Sequence, residues 1–215
     1  MNQVVTIRKN ILGHQKNLQI RIPYRYFRNR KFAELFILII GLPVYLSLFT
    51  VLCLLILSFD SKPIFFKQRR PGLNGKIFLL YKFRTMYVGC DPNTLSDFGD
   101  KRITALGRLL RKYRLDELPQ IINVIKGEMS LIGPRPVPES HYELYKNRIE
   151  NYDIRHLIKP GITGLSQIKI GYTNTLEGER KKLTYDLEYL TKANIWLDLR
   201  IILSTILLPR KNRLY

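Results

Sequence analysis

The stretch Leu35–Phe59 carries 25 residues without a charge, and no other feature of the chain restricts its fold so strongly. It exceeds the ~20 residues that an apolar helix needs to cross a bilayer, so a single transmembrane span is the simplest reading. Two features oppose that reading. Pro43 lies inside the run with Gly41 just before it, and a proline there removes one helical N–H and crowds the preceding turn, which favours a kink. Positive charge also flanks both ends, with Arg21, Arg25, Arg28, Arg30 and Lys31 before the run and Lys62, Lys67, Arg69 and Arg70 after it. Such charge prefers the cytoplasmic face, so both ends belong on one side. A helix that enters, bends at Pro43 and returns satisfies both constraints, and this re-entrant hairpin is preferred to a straight span. The run starts too late, and lacks the small-residue cleavage site, for a signal peptide. Three segments follow: a basic stretch 1–34 with little regular pattern beyond Tyr24–Phe32, the membrane segment 35–59, and a domain 60–215 on the cytoplasmic side.

Downstream, Pro63–Thr85 reads as a β-hairpin. Apolar runs Ile64-Phe65-Phe66 and Ile77–Tyr81 flank the turn signals Pro71-Gly72 and Asn74-Gly75. Lys82 and Arg84 alternate with Phe83 and so share one face of the second strand, either as a solvated basic edge or as an anion contact. Val88–Asp100 is a polar loop that is either merely exposed or able to move over the site. Thr104 can cap the next helix, whose buried stripe is Leu106, Leu109, Leu110 and Tyr113, with Arg108, Arg111, Lys112 and Arg114 facing water or headgroups.

That helix delivers the chain to Leu115–Pro136, LDELPQIINVIKGEMSLIGPRP. Asp116 and Glu117 stand just ahead of an amphipathic helix in which Leu118, Ile121, Ile122 and Ile125 follow helical spacing, so one face should be buried. Pro119 suits the first turn, the N-cap is Asp116 or Leu118, and Gly127 looks like the stop. A carboxylate at the positive helix end is favoured in its ionised form and can serve as a nucleophile or a metal ligand. The same residue type is often just a cap. In Gly133-Pro134-Arg135-Pro136, two prolines stiffen the turn and present the planar fork of Arg135, which suits phosphate.

Ser140–Ile158 reads as a polar helix with an aromatic stripe (Tyr142, Tyr145, Tyr152) that belongs to the core. Lys159–Gly164 is a turn, and a helix over 176–192 turns Leu183, Leu187 and Leu190 inward. Ile195–Leu208 is too short to span and reads as an interfacial or packed helix. Lys and Arg number 36 against 17 Asp and Glu, a formal net charge of +19, which calls for an anionic partner: nucleic acid, an acidic lipid surface or phosphorylated substrates. Cys53 and Cys90 are too few for a disulfide framework or a zinc site, and the three histidines show no metal-ligand spacing. The sequence has neither a Walker loop nor GxGxxG, so a nucleotide would be held in another way.

LDELPQ, SLIGPRP, KPGITG and the strand end Lys82-Phe83-Arg84-Thr85-Met86 occur in the order found in the bacterial sugar transferases, the monotopic phosphoglycosyl transferases, which this chain resembles from about Arg30 to Leu208. It departs from them in reading Leu42-Pro43 where they have Ser-Pro, with Ser47 a turn later as a substitute hydroxyl, and Leu165 where they commonly have Trp. The resemblance implies a mostly helical α+β fold with a re-entrant membrane helix, a small β-hairpin and interfacial helices. It implies transfer of a sugar 1-phosphate from a nucleotide diphosphate sugar, with uridine as the expected base, to undecaprenyl phosphate. Such a transfer initiates a surface glycan at the cytoplasmic face of the bacterial inner membrane. Asp116 would be the nucleophile and Glu117 a base or organiser. Lys82, Arg84 and Arg135 would meet phosphates, and Asp186 aligns with an acidic position near the site. Magnesium, held through Asp116, would be the cofactor. An anionic leaflet is the expected surface, nucleic acid is not an expected partner, and a homo-oligomer is left open. The competing reading is a non-catalytic basic membrane or nucleic-acid-binding protein, which would have no need of Asp116 or Glu117.

Overall fold

The computed structural model describes residues 3–11, 14–60, 62–90, 100–171, 173 and 175–207. Its order is β1 (Gln3–Ile11), β2 (His14–Ile22), α1 (Tyr24–Phe59), β3 (Phe65–Pro71), β4 (Ile77–Phe83), α2 (Ala105–Tyr113), α3 (Gln120–Ile125), β5 (Ser130–Ile132), α4 (Glu139–Arg148), β6 (Gly161–Thr163), α5 (Leu165–Lys169), α6 (Leu176–Lys192) and α7 (Ile195–Leu207). Among the described residues helices dominate, with three two-stranded sheets, so the mostly helical α+β expectation holds. The basic N-terminus differs from expectation. β1 and β2 pair antiparallel from Gln3↔Ile22 to Ile11↔His14, and Ile22 is fully buried in the core. Alternation of Leu18, Ile20 and Ile22 was the legible signal, diluted by the intervening charges and amides.

α1 is one continuous helix running through Pro43, beginning at Tyr24 rather than at Leu35. The helix–break–helix form is therefore not seen. Ser47 Oγ donates to the Pro43 carbonyl at 3.0 Å, whereas the carbonyl that Pro43 deprives of its partner is that of Ile39. Among the described residues α1 is the helix long and apolar enough to cross a membrane. Residues 39–44 and 46–48 are all exposed, while both ends are held by the same folded body. Near its start, buried Arg30 pairs with Glu34 at 3.1 Å and donates to Asp198 (3.1 Å), Ser130 Oγ (2.5 Å), the Ile132 carbonyl (2.9 Å) and the Tyr189 hydroxyl. Near its end, Leu52 and Ile56 are buried with Phe83 and Leu110, and Phe49 lies with its ring 5.2 Å from Phe83 and 5.9 Å from Phe65.

The β3–β4 hairpin forms as expected, in register from Phe65↔Phe83 to Pro71↔Ile77, with Asn74 and Gly75 at positive φ in the turn. Thr104 caps α2 by accepting from the Gly107 amide at 2.8 Å. Of its expected stripe Leu110 is buried and Leu106 partly so, but Leu109 and Tyr113 are exposed; Gly107 takes the inner place because its bare Cα packs on the Thr85 backbone, which a Cβ would strike at 2.1 Å. Residues 91–99 of the predicted loop lie outside the described residues. The expected helix 140–158 divides instead. α4 stops at Arg148, Asn151 adopts φ 62°, and a 3₁₀ segment Tyr152–Leu157 follows. Tyr142, Tyr145 and Tyr152 still gather in one buried cluster, closed by Leu183 of α6.

That division serves a parallel pair. β5 and β6 align Ser130↔Gly161 and Ile132↔Thr163, so the SLIGPRP and KPGITG motifs lie side by side. Parallel strands need a crossover, which α4 and the 3₁₀ segment provide. The approach is close enough that a Cβ on Gly161 would sit 2.0 Å from the Gly133 amide nitrogen, and one on Gly164 would sit 2.1 Å from the Gly133 carbonyl oxygen.

Candidate active site

Asp116 and Glu117 lie in a single 3₁₀ turn, Leu115–Glu117, which follows a left-handed Arg114 at φ 55°. The amides of Glu117 and Leu118 bond back to the carbonyls of Arg114 and Leu115, so neither Asp116 nor Leu118 caps the next helix. Pro119 occupies the N-cap position of α3, without a side-chain bond. The expected buried face of α3 also shifts. Gln120, Asn123 and Val124 are buried and Ile125 is 61% exposed, while Leu118, Ile121 and Ile122 are half-buried. The reason is polar: Asn123 accepts from the Tyr81 amide (3.1 Å) and donates to the Leu79 carbonyl (2.7 Å), docking α3 on the backbone of β4. Hydrophobic spacing alone could not locate a face fixed by an amide.

This docking brings β4 beside the carboxylates. Lys82 Nζ lies 3.1 Å from Glu117 Oε1 and 3.9 Å from Asp116 Oδ2. From the stiff turn after β5, Arg135 Nη1 reaches Glu117 Oε2 at 3.3 Å and Nη2 pairs with Oε1, making a bidentate fork. Gln167 of α5 steadies Arg135 by accepting from Nη1 at 3.2 Å. Arg70 of β3 donates to the Pro136 carbonyl from the other side of the turn. Four of the chain's proposed site residues, Lys82, Asp116, Glu117 and Arg135, thus converge.

The two carboxylates differ in charge environment. Burial pushes the Asp116 carboxyl above the usual aspartate range; Lys82 opposes this and the neighbouring Glu117 charge adds to it. Burial also acts against ionised Glu117, but Arg135 and Lys82 together overcome it and hold Glu117 below the usual range. The helix-end stabilisation expected for Asp116 is therefore replaced by desolvation. Arg111, expected at the surface, turns inward, donates to Thr85 Oγ1 at 2.8 Å and favours the Asp116 anion. Its Cα lies on the polar side of α2, but its reach exceeds the face assignment.

Arg84 and Asp186 sit elsewhere. Arg84 is buried and donates to the Asp60 carbonyl, tying the end of α1 to the hairpin; β4 ends at Phe83, so the alternation that paired Arg84 with Lys82 no longer holds. Asp186 is 1% exposed and pairs with Arg155 at 2.7 Å. Arg155 also pairs with Glu179 at 3.0 Å and donates to the main-chain carbonyl of Arg135 at 3.0 Å. Asp186 hence lies one layer behind the converging groups, coupled to them through Arg155. Sequence reading missed Arg155, Glu179 and Gln167. Arg155 was masked by its place in an apparent polar helix, whereas a charge one residue from His156 and amid the tyrosine stripe was the available signal.

Two carboxylates beside two cations from remote strands and turns suit phosphate chemistry, and the similarities agree. The model of a family described as bacterial sugar transferase matches residues 25–210. A UDP-glucose:undecaprenyl-phosphate glucose-1-phosphate transferase of Klebsiella pneumoniae is 43% identical over 174 residues, which is 79% of this chain and 37% of that protein. One of the same name from Xanthomonas campestris pv. campestris is 46% identical, over 66% of this chain and 31% of that protein. The uncharacterized sugar transferase EpsL of Bacillus subtilis is 47% identical, over 68% of this chain and 69% of its own length. The chain thus spans about a third of the length of the two glucose-1-phosphate transferases. The match covers α1 from its second residue, the hairpin and every converging residue, and the chain belongs to the bacterial sugar transferase family.

Proposed function

We propose that this chain transfers a sugar 1-phosphate from a uridine diphosphate sugar to undecaprenyl phosphate, releasing uridine monophosphate and initiating a surface glycan. One observation carries the reading: Glu117 takes both Lys82 and Arg135, leaving Asp116 as a buried carboxylate only loosely held, with Lys82 3.9 Å away. A carboxylate desolvated and spared close pairing is a stronger nucleophile. In the first half-reaction an Asp116 oxygen attacks the sugar-bearing phosphorus, the bond to the bridging oxygen breaks, and uridine monophosphate leaves with that oxygen. In the second, an oxygen of the acceptor phosphate attacks the aspartyl-linked phosphorus and Asp116 is restored. Lys82 and Arg135, held in place by Glu117, are positioned to take phosphate oxygens as charge develops.

Magnesium fits this donor set in one manner. Among the described residues no three metal-ligating side chains gather, and both Glu117 oxygens face cations. Asp116 would therefore hold the ion together with diphosphate oxygens and water, as magnesium sites with one or two carboxylates do. Bound there, it would neutralise diphosphate charge.

The helix α1 supports a membrane placement. A spanning helix would carry its ends to opposite faces, but Arg30 and Ile56 both pack on one body while residues 39–44 and 46–48 between them are exposed. This supports seating in a single leaflet, with the folded domain on the cytoplasmic face. Cys90 and a cysteine introduced at Gln15 should accordingly label from the cytoplasmic side in oriented vesicles; labelling from opposite sides would establish a full span.

The donor assay tests the chemistry. Protein in nanodiscs with magnesium is offered a panel of uridine diphosphate sugars and undecaprenyl phosphate. The expected nucleotide product is uridine monophosphate, because the bond broken lies between the phosphates, and chelation should stop its release. Uridine diphosphate as product would mean cleavage at the sugar and would sink the proposal. Binding of any polyanion without turnover would favour the basic binding-protein reading.

A further inference from the structure

A cavity of about 330 Å³ opens between the first turns of α1, the C-terminal end of α3 and the segment Leu157–Lys159. Lys82, Asp116, Glu117 and Arg135 do not line it. Arg30 and Glu34 do, but they are bound to each other and to Ser130. The remaining charges in the wall are Arg28, Lys31 and Lys159, all cationic. Among the described residues these three make no hydrogen bond or ion pair with one another's neighbours or with any carboxylate. Lys159 is half-buried; burial pushes its amine down, Lys31 and Arg30 push the same way, and Glu34 opposes them. Arg28 and Lys31 are exposed, and like charges gathered beside a half-buried amine are relieved by an anion.

The other side of the wall is apolar, with Leu35, Leu38 and Ile125. Leu35, 48% exposed, is the first residue of the uncharged part of α1 after Glu34, and Ile125 is 61% exposed. The cavity therefore straddles the level at which the charges of α1 end, at Glu34, and its lipid-facing surface starts. An occupant with an anionic head and an apolar tail matches both walls, whereas a free phosphate would leave the apolar one uncovered. We propose that this cavity binds the headgroup phosphate of an anionic bilayer phospholipid, with Arg28, Lys31 and Lys159 around the phosphate and Leu35, Leu38 and Ile125 along the first part of an acyl chain. Basic pockets at the cytoplasmic edge of membrane helices recognise lipids in this way. The proposal rests on the leaflet seating of α1 given above and not on the transfer chemistry.

The test is protection of lysines from an amine-reactive reagent, read by peptide mass spectrometry on the full chain in neutral detergent. Phosphatidylglycerol should protect Lys31 and Lys159, with half-protection at a concentration at least about tenfold below that of phosphatidylcholine. Lys62 and Lys112, which do not line the cavity, should label equally throughout. Equal protection by the two lipids would overturn the proposal, and so would protection by inorganic phosphate at the same concentration. Undecaprenyl phosphate outcompeting phosphatidylglycerol would reassign the cavity to the acceptor and overturn it too. Flotation with phosphatidylcholine liposomes separates the two claims: failure to float refutes both the seating and the lipid site, while flotation without lysine protection refutes the lipid site alone.

Discussion

Asp116→Asn should lower turnover by at least about a thousandfold while the protein stays membrane-bound, because an amide of nearly the same shape cannot form the acyl phosphate. Asp116 is 8% exposed, so the substitution removes a charge from a site where burial already opposes it. Stability should therefore hold or rise slightly, and equal thermal unfolding of variant and parent separates a loss of activity from unfolding. Parent protein given labelled donor without acceptor should retain label on the Asp116 peptide, and the variant should retain none. Glu117→Gln should behave differently. It takes away the anion that seats Lys82 and both arms of the Arg135 fork, so activity should fall by about 10²–10³ while donor labelling of Asp116 slows without vanishing. An Asp116→Asn protein with a substantial fraction of parental turnover would show that another group attacks or that transfer is direct.

Arg155→Met should destabilise the chain by about 3–5 kcal/mol, the range for removing one partner of a buried ion pair. Arg155 is 2% exposed and joins Glu179, Asp186 and the Arg135 carbonyl. Glu179 would keep Lys182 at 3.3 Å, but Asp186 would lose the cation 2.7 Å away and stay fully enclosed. The double variant Arg155→Met/Asp186→Asn removes that stranded charge and should recover a good part of the loss in thermal unfolding. Activity should not recover with it, since the Arg135 backbone still lacks its donor. A single variant that melts with the parent would show that the cluster contributes nothing net.

How much of this was legible in the sequence depends on which force fixes each element. The hairpin β3–β4, the Thr104 cap and the bounds of α6 were readable because turn residues, a hydroxyl cap and helical spacing act locally. The convergence of Lys82 and Arg135 on the carboxylate pair was not readable from spacing; it came from the resemblance, since strand β4 and the turn after β5 meet only through tertiary docking. The inner face of α3 was misassigned because Asn123, a polar residue, makes its main contacts. Arg84 was carried past the end of its strand, where alternation stops applying. The glycines of the two motifs looked like turn signals, but at Gly133 and Gly161 their role is to let two backbones touch.

On the leaflet seating proposed above, the anchoring of α1 also implies an order of biogenesis. Arg30 and Glu34 are buried only once Ser130, Tyr189 and Asp198 surround them, and Asp198 belongs to the last described helix. While the chain is being made, the apolar part of α1 reaches the ribosome exit long before those partners exist. Its guanidinium and carboxylate must then wait in the wet headgroup layer, since charges are costly to leave unpaired away from water. With α1 seated as proposed, insertion into lipid would precede completion of the domain, and the closing of the Arg30 cluster over α7 would lock the seated helix to a body that folds afterwards.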